Sequence, residues 1–138
     1  MALTFQILPG EGIVYVKYTG VMTVQESFAQ LAAYQAHPDF RPTHKHLVDL
    51  ADITDFERNF PEIIRLQATK VEMVSAAPTP TLLAYYAPNA MAQAAARAAL
   101  KSWEGLSHVI PLLAKSESEA LSLIGSSATS LDVLLQSA

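Results

Sequence analysis

The sequence contains no cysteine. That excludes disulfides, a thiol nucleophile and any thiolate metal site. Charge is sparse, at 16% of residues, and nine basic against thirteen acidic side chains leave a net charge of −4. A strongly basic nucleic-acid footprint is therefore absent, and no nucleic-acid partner is expected. The start, Met1 to Ile7, lacks a basic cluster, an apolar run of signal length and a small-residue cleavage site. No secretory leader is expected, and a cytoplasmic location is. Also missing are a Gly-x-Ser-x-Gly elbow and a glycine-rich phosphate loop, since Gly10 and Gly12 belong to a turn. His108 follows Ser107 without a third partner placed by sequence. Catalysis has little support, and no catalytic residue or cofactor is implied.

One charge-free tract, residues 73–96, is long enough to cross a bilayer. Pro78, Pro80 and Pro88 break any continuous helix there, and Thr79, Thr81, Asn89 and Gln93 suit lipid poorly. A buried strand followed by a helix is expected instead, with no membrane span.

What the chain does have is apolar material, 51% of its 138 residues, enough for one core. No repeat or long linker divides it, so residues 1–125 read as one domain and 126–138 as a tail. Leu3–Leu8 and Ile13–Tyr18 flank Pro9-Gly10-Glu11-Gly12, the form of a hairpin. Lys17 leaves one end of the second strand wet, which suggests an outer or partly exposed position. Gly20 is expected to break that strand. Thr23 with Glu26 forms a capping box opening a helix whose stripe is Val24, Phe28 and Leu31, ended by His37-Pro38.

His46–Leu50 is short and evenly apolar, a central strand covered on both faces. Asn59 with Glu62 caps the next helix, Pro61 fits its first turn, and Ile63, Ile64, Val71 and Val74 form its inner face. Thr81–Tyr86 is another buried strand, and Asn89 caps an alanine-rich helix. Val109–Leu113 is the last strand, with Pro111 marking a sheet edge. Ser116 and Glu119 open a helix that Gly125 closes, and Leu131, Val133, Leu134 and Leu135 suit one more short helix. The order β-β-α-β-α-β-α-β-α predicts an α/β fold. Its sheet is single, five-stranded, mixed and mostly parallel, with right-handed crossovers, an N-terminal hairpin and about four helices.

These elements carry a resemblance. The hairpin with Gly20 before the first helix, the strand Leu47-Val48-Asp49-Leu50, the unit from Thr81 to Trp103 and the closing helix Glu119–Gly125 resemble the SpoIIAA-like proteins. Those proteins are relatives of the STAS domain of anti-sigma-factor antagonists. The likeness spans most of residues 3–125 and rests on hydrophobic pattern. It implies a non-enzymatic protein-interaction or regulatory module. Antagonists of that family carry a phosphorylatable serine in an Asp-Ser-Ser-Gly-like turn after the central strand. Here the region reads Asp52-Ile53-Thr54-Asp55-Phe56-Glu57-Arg58-Asn59, with Thr54 as its one hydroxyl, out of the expected place. Neighbouring acids would repel an added phosphate, so the phosphorylation switch does not carry over.

Six residues are ligand-binding candidates: Asp49, Thr54, Tyr85, Tyr86, Asn89 and Trp103. Asp49 lies near the carboxyl end of a central strand, where open α/β sheets bind ligands. Its alternative role is to accept loop amides and anchor the next turn. Asn89 starts a helix beside two tyrosines, so its amides offer an anion site, with an ordinary cap plus core packing as the alternative. A small apolar or carboxylate-bearing ligand near Tyr85, Tyr86, Asn89 and Trp103 is the sharpest binding expectation.

His37, His44 and His46, with Asp39 and Asp49 nearby, raise a metal site, because positions i and i+2 of an extended segment share a side. Arg41 and Lys45 make that segment positive, and a solvated crossover loop is expected there, with no metal. Asp52, Asp55, Glu57 and Glu62 are expected to solvate and cap the second helix rather than act as a general base.

Two functions follow: a protein-interaction or regulatory module, or a small-molecule or lipid carrier with a pocket between sheet and helices. The charge-free tracts 73–96, 105–114 and 120–131 exceed what one small core needs. A homodimer is therefore expected, with the alanine-rich helix and Leu131–Leu135 as its first contacts.

Overall fold

A computed structural model describes residues 3–136. The elements run β1 (Leu3–Leu8), β2 (Ile13–Met22), α1 (Val24–Gln35), β3 (Lys45–Phe56), α2 (Phe60–Val74), β4 (Thr81–Tyr86), α3 (Ala90–Ser102), β5 (Val109–Ala114), α4 (Glu117–Leu123) and α5 (Leu131–Leu135). The five strands form one sheet in chain order, β1 antiparallel to β2 and the rest parallel. The α/β fold with a single mixed sheet is present, and the tail contributes a fifth helix. Among the described residues no helix is long and apolar enough to cross a membrane.

Parallel neighbours need crossovers, and crossovers keep one hand. With strands in chain order, α1, α2 and α3 all fall on one face. There they share a core with Val14, Val16, Val48, Leu83 and Tyr85. The other face is covered by α4 and α5, whose Leu121, Leu131 and Leu134 pack over Leu8, Ile13, Leu47 and Ala84. Strand alternation does the sorting. In β3, His46, Val48 and Leu50 point toward α1–α3, while Leu47 and Asp49 point the other way. Ala92, Ala95, Ala96 and Ala99 form the buried stripe of α3, and their small side chains let that helix sit close to the sheet.

The helix starts follow the sequence. Thr23, Asn59, Asn89, Ser116 and Ser130 each accept a hydrogen bond from the amide three residues on. Each such cap contributes about 1 kcal/mol. Gly125, at φ +73, ends the turn after α4 in a conformation that other residues adopt only with strain.

Several local expectations need correction. Gly20 does not end β2. It lies inside the strand at φ +69, between register shifts against β3, so it is the flexible residue of a bulge. β2 is an inner strand between β1 and β3, and Lys17 is not left to solvent alone: its amine pairs with Asp49 at 3.4 Å and Asp52 at 2.9 Å. β3 runs on to Phe56, through the acidic segment expected to turn. Thr19–Met22 supply the backbone partners that local propensity does not reveal. Glu57 caps α1 rather than α2, its Oε1 accepting the Val24 amide at 3.1 Å.

On α1 the buried stripe is Val24, Ser27, Leu31 and Tyr34, with Phe28 only partly covered, beneath the Arg65 guanidinium. On α2, Ile64 is exposed, because the helix turns Ile63, Leu66, Gln67, Val71 and Val74 inward. Of the two helical regions expected to meet a second copy, α3 buries one face in the chain's own core and leaves Ala90, Ala94 and Arg97 exposed. Leu131 and Leu134 are buried, leaving Val133 exposed on α5.

The histidine segment divides: residues 37–43 form a largely exposed crossover loop, as expected, but the chain turns inward after it. His44 and His46 are both buried. Tyr34 Oη and His44 Nδ1 share a hydrogen bond of 2.7 Å, and the Tyr34 and His46 rings meet edge to face at 5.8 Å. Among the described residues no cluster of three or more metal-ligating side chains forms, and His37 instead accepts the Asp39 amide at 3.0 Å.

Burial, reinforced by the charges of Lys70 and His44, lowers the His46 pKa to about 3. The unfolded chain therefore binds the proton more readily between pH 6.5 and about 3, and stability falls as pH drops through that window. The expected slope from this group is about 1.4 kcal/mol per pH unit. Urea unfolding of wild type and His46→Leu across pH 7 to 4 checks it. The acid loss should be shallower in the variant.

Candidate functional site

The six candidate residues do not form one site. Asp49 and Tyr86 face α4 and α5, whereas Tyr85 faces α1–α3 with Trp103. Thr54 is exposed on the part of β3 that outruns β4, whose pairing ends at Asp49 with Tyr86. Asn89 lies between these groups and ties elements together: Oδ1 accepts the Ala92 amide and Nδ2 donates to the Ala51 carbonyl, both at 2.9 Å.

Both oxygens of Asp49 are engaged. Its Oδ2 accepts from the Tyr15 hydroxyl and faces the Lys17 amine, while Oδ1 accepts the Ala51 amide at 2.9 Å. Burial, then the hydrogen bond to Asp49, drives the Tyr15 phenol well above its ordinary range. The anchoring role open to Asp49 in the sequence is the one its bonds perform. Both oxygens already accept, and three of the roughly four bonds a carboxylate can take are made within the chain.

Tyr85 and Trp103 do come together. The Trp103 indole Nε1 donates to the Tyr85 hydroxyl at 3.0 Å, and both residues are buried. Tyr85 forms the floor of a cleft with Tyr18 and Val48, walled by α1, α2 and α3. The cleft measures about 490 Å³ when its solvent-open mouth is included, and about 40 Å³ of that can hold the centre of a water-sized group. Its shape follows from the helices above it. The alanines of α3 let that helix lie close to the sheet, and the cleft opens beside them against residues of α1 and α2.

Polar groups in this cleft are unequally satisfied. Tyr18 Oη and Ser27 Oγ share a hydrogen bond of 2.6 Å, and burial pushes the Tyr18 phenol up to about 12. Gln67 Nε2 donates to Ser102 Oγ at 3.0 Å, but Gln67 Oε1 is buried with no partner. Lys70 stands one turn further along α2 with its amine 6.0 Å from the Trp103 ring centre. It makes no hydrogen bond or ion pair among the described residues. Burial lowers its pKa to about 8. A buried acceptor without a donor and a crowded cation without an anion each cost folding free energy.

Gln67 and Lys70 were not among the sequence candidates. On an amphipathic helix, polar residues read as the solvent face. The signal that would have found them is spacing. Residues 63, 66, 67, 70, 71 and 74 form one stripe at i, i+3, i+4 and i+7, so two polar residues fall within an otherwise apolar face.

The anchoring role of Asp49 makes a definite prediction. Asp49→Ala leaves the Tyr15 hydroxyl and Lys17 without their shared acceptor and costs about 2–4 kcal/mol of stability. Urea unfolding measures that loss. Ligand response at the cleft, read from Trp103 fluorescence under conditions where the variant is folded, should be unchanged. Neither a protein-family model nor a curated protein matches this chain.

Proposed function

We propose that the chain works by binding rather than by catalysis, and that its ligand is a small, largely apolar molecule taken into the cleft among α1, α2 and α3. The observation that carries this reading is the apolar opening itself, lined by Val24, Val48, Leu66 and Tyr85, with Lys70 at its wall holding no counter-charge among the described residues. Ligand sites are typically apolar concavities with a few convergent polar groups. The limited enclosed volume favours a short ligand over a long lipid.

A second reading takes the chain as a regulatory, protein-contacting module of the SpoIIAA/STAS kind. It is favoured by the β2–β3 arm, where Thr19–Met22 and Asp52–Phe56 pair with each other beyond the end of β4. Val21, Asp52, Thr54 and Asp55 are exposed on this arm, in the region that follows the central strand. A ligand-responsive module that also contacts a protein, or a second copy, would use both features.

The chain has a single tryptophan, and it lies beside the cleft, so intrinsic fluorescence reports occupancy directly. A panel of short apolar alcohols, acids and amines should include compounds that change Trp103 emission saturably and raise the melting temperature. Ligand at a hundredfold excess over Kd stabilises by about 2.7 kcal/mol. Ala98 lines the cleft and is only partly buried, so Ala98→Leu should fill the space and weaken binding without heavy overpacking. A panel that shifts neither signal, or shifts that persist unchanged in Ala98→Leu, would contradict the reading.

A further inference from the structure

Strand β1 forms one edge of the sheet, and among the described residues no other strand lies along its outer flank. Edge strands are usually blunted by charge, proline or a bulge. Leu3–Leu8 carries no charge and no proline, and its register against β2 runs without a shift. The opposite edge, β5, contains Pro111, which removes an amide donor. We infer that β1 pairs antiparallel with β1 of a second copy, joining two five-stranded sheets into one across a two-fold axis at Phe5. This contact lies away from the cleft, whose lining shares no residue with it.

Register selects the occupant. Residues directly opposite on antiparallel strands share a face, so a symmetric pair of strands must centre on a residue. Centred on Phe5, the pair sets Leu3 against the partner's Ile7 and Thr4 against the partner's Gln6. Apolar residues then meet apolar ones on the helix side, and exposed polar residues meet polar ones on the other. Phe5 meets its own copy, adding an aromatic contact to those with Tyr34 at 6.0 Å and His37 at 6.3 Å. Centred on Gln6 instead, Thr4 would face Leu8, which is already buried in the core beneath α4 and α5.

The surface beside β1 extends the match. Leu3 and Phe5 line a shallow groove with Ala29 and Ala33 of α1, about 560 Å³ with its open side included. Glu26 is the one charged residue of α1, and its carboxylate accepts the Thr23 hydroxyl at 3.0 Å. A charged peptide would find no counter-charge along this flank, whereas a second copy brings a surface equally uncharged. Stable dimers bury roughly 800 Å² a side, more than a short strand pair supplies. The exposed Ala29, Ala32 and Ala33, on the same side as Leu3 and Phe5, add area as the two α1 helices approach across the axis.

Sedimentation velocity from low micromolar to submillimolar concentration should show a dimer at twice the chain mass. Thr4 and Gln6 are exposed, so charges placed there test the contact without entering the core. Thr4→Glu with Gln6→Glu sets like charges opposite at two places and should weaken the dimer about tenfold or more. Thr4→Glu with Gln6→Lys sets opposite charges at the same two places and should restore it. Circular dichroism and Trp103 emission check that both variants are folded. Hydrogen exchange of wild type needs no substitution: alternate β1 amides should gain protection as concentration rises. A chain that stays monomeric, a dimer that ignores the paired glutamates, or exchange at β1 that ignores concentration would overturn the inference. Loss of the dimer in both variants would overturn the register, and open-ended assemblies would overturn the two-fold pair. Ligand response at the cleft is independent of each of these outcomes.

Discussion

Chain order and spatial order coincide in this sheet, and parallel strands admit crossovers of one hand. Together these force α1, α2 and α3 onto a single face. Three helices must then share the area above a narrow sheet while α4 and α5, both short, close the opposite side. Small side chains set the height of α3, and larger ones set α1 and α2. The cleft is the space these unequal heights leave over Tyr18, Val48 and Tyr85.

The two faces treat charge in opposite ways. On the α4–α5 side, Asp49 is buried but answered by a phenol, an amine and a backbone amide, so its cost is met locally and it fixes β2 against β3. On the α1–α3 side, the half-buried Lys70 lines an apolar opening and holds no carboxylate among the described residues. A satisfied buried carboxylate is a structural part. An apolar concavity with a cation at its wall is the usual form of a small-molecule site. This contrast, rather than any motif, directs the functional reading to the helix side.

The sequence carried the architecture because its punctuation is local. Thr23, Asn59, Asn89 and Ser116 mark helix starts, Gly125 marks a stop, and Pro111 marks the edge strand, each through chemistry acting within a few residues. What stayed hidden depends on partners distant in the chain. The extension of β3 through Asp52–Phe56 needs Thr19–Met22 beside it, and the tolerance of Gly20 within β2 needs the same pairing. His44 and His46 look solvated beside Arg41 and Lys45, yet Tyr34 from α1 covers them. Tyr85 and Trp103 were legible as candidates because they are large and near a predicted helix. Gln67 and Lys70 were not, because polarity on a helix conceals burial until the face it occupies is known.

The Lys70 amine is crowded by protein and has no counter-charge among the described residues. A carbon-detected NMR titration of labelled protein reports each lysine's Cε shift against pH, with the Lys70 signal identified by its loss in Lys70→Met. An inflection at about 8 is expected for Lys70. An inflection at the ordinary 10.5 would mean that the amine is solvated or already paired, and that the cleft holds no crowded cation.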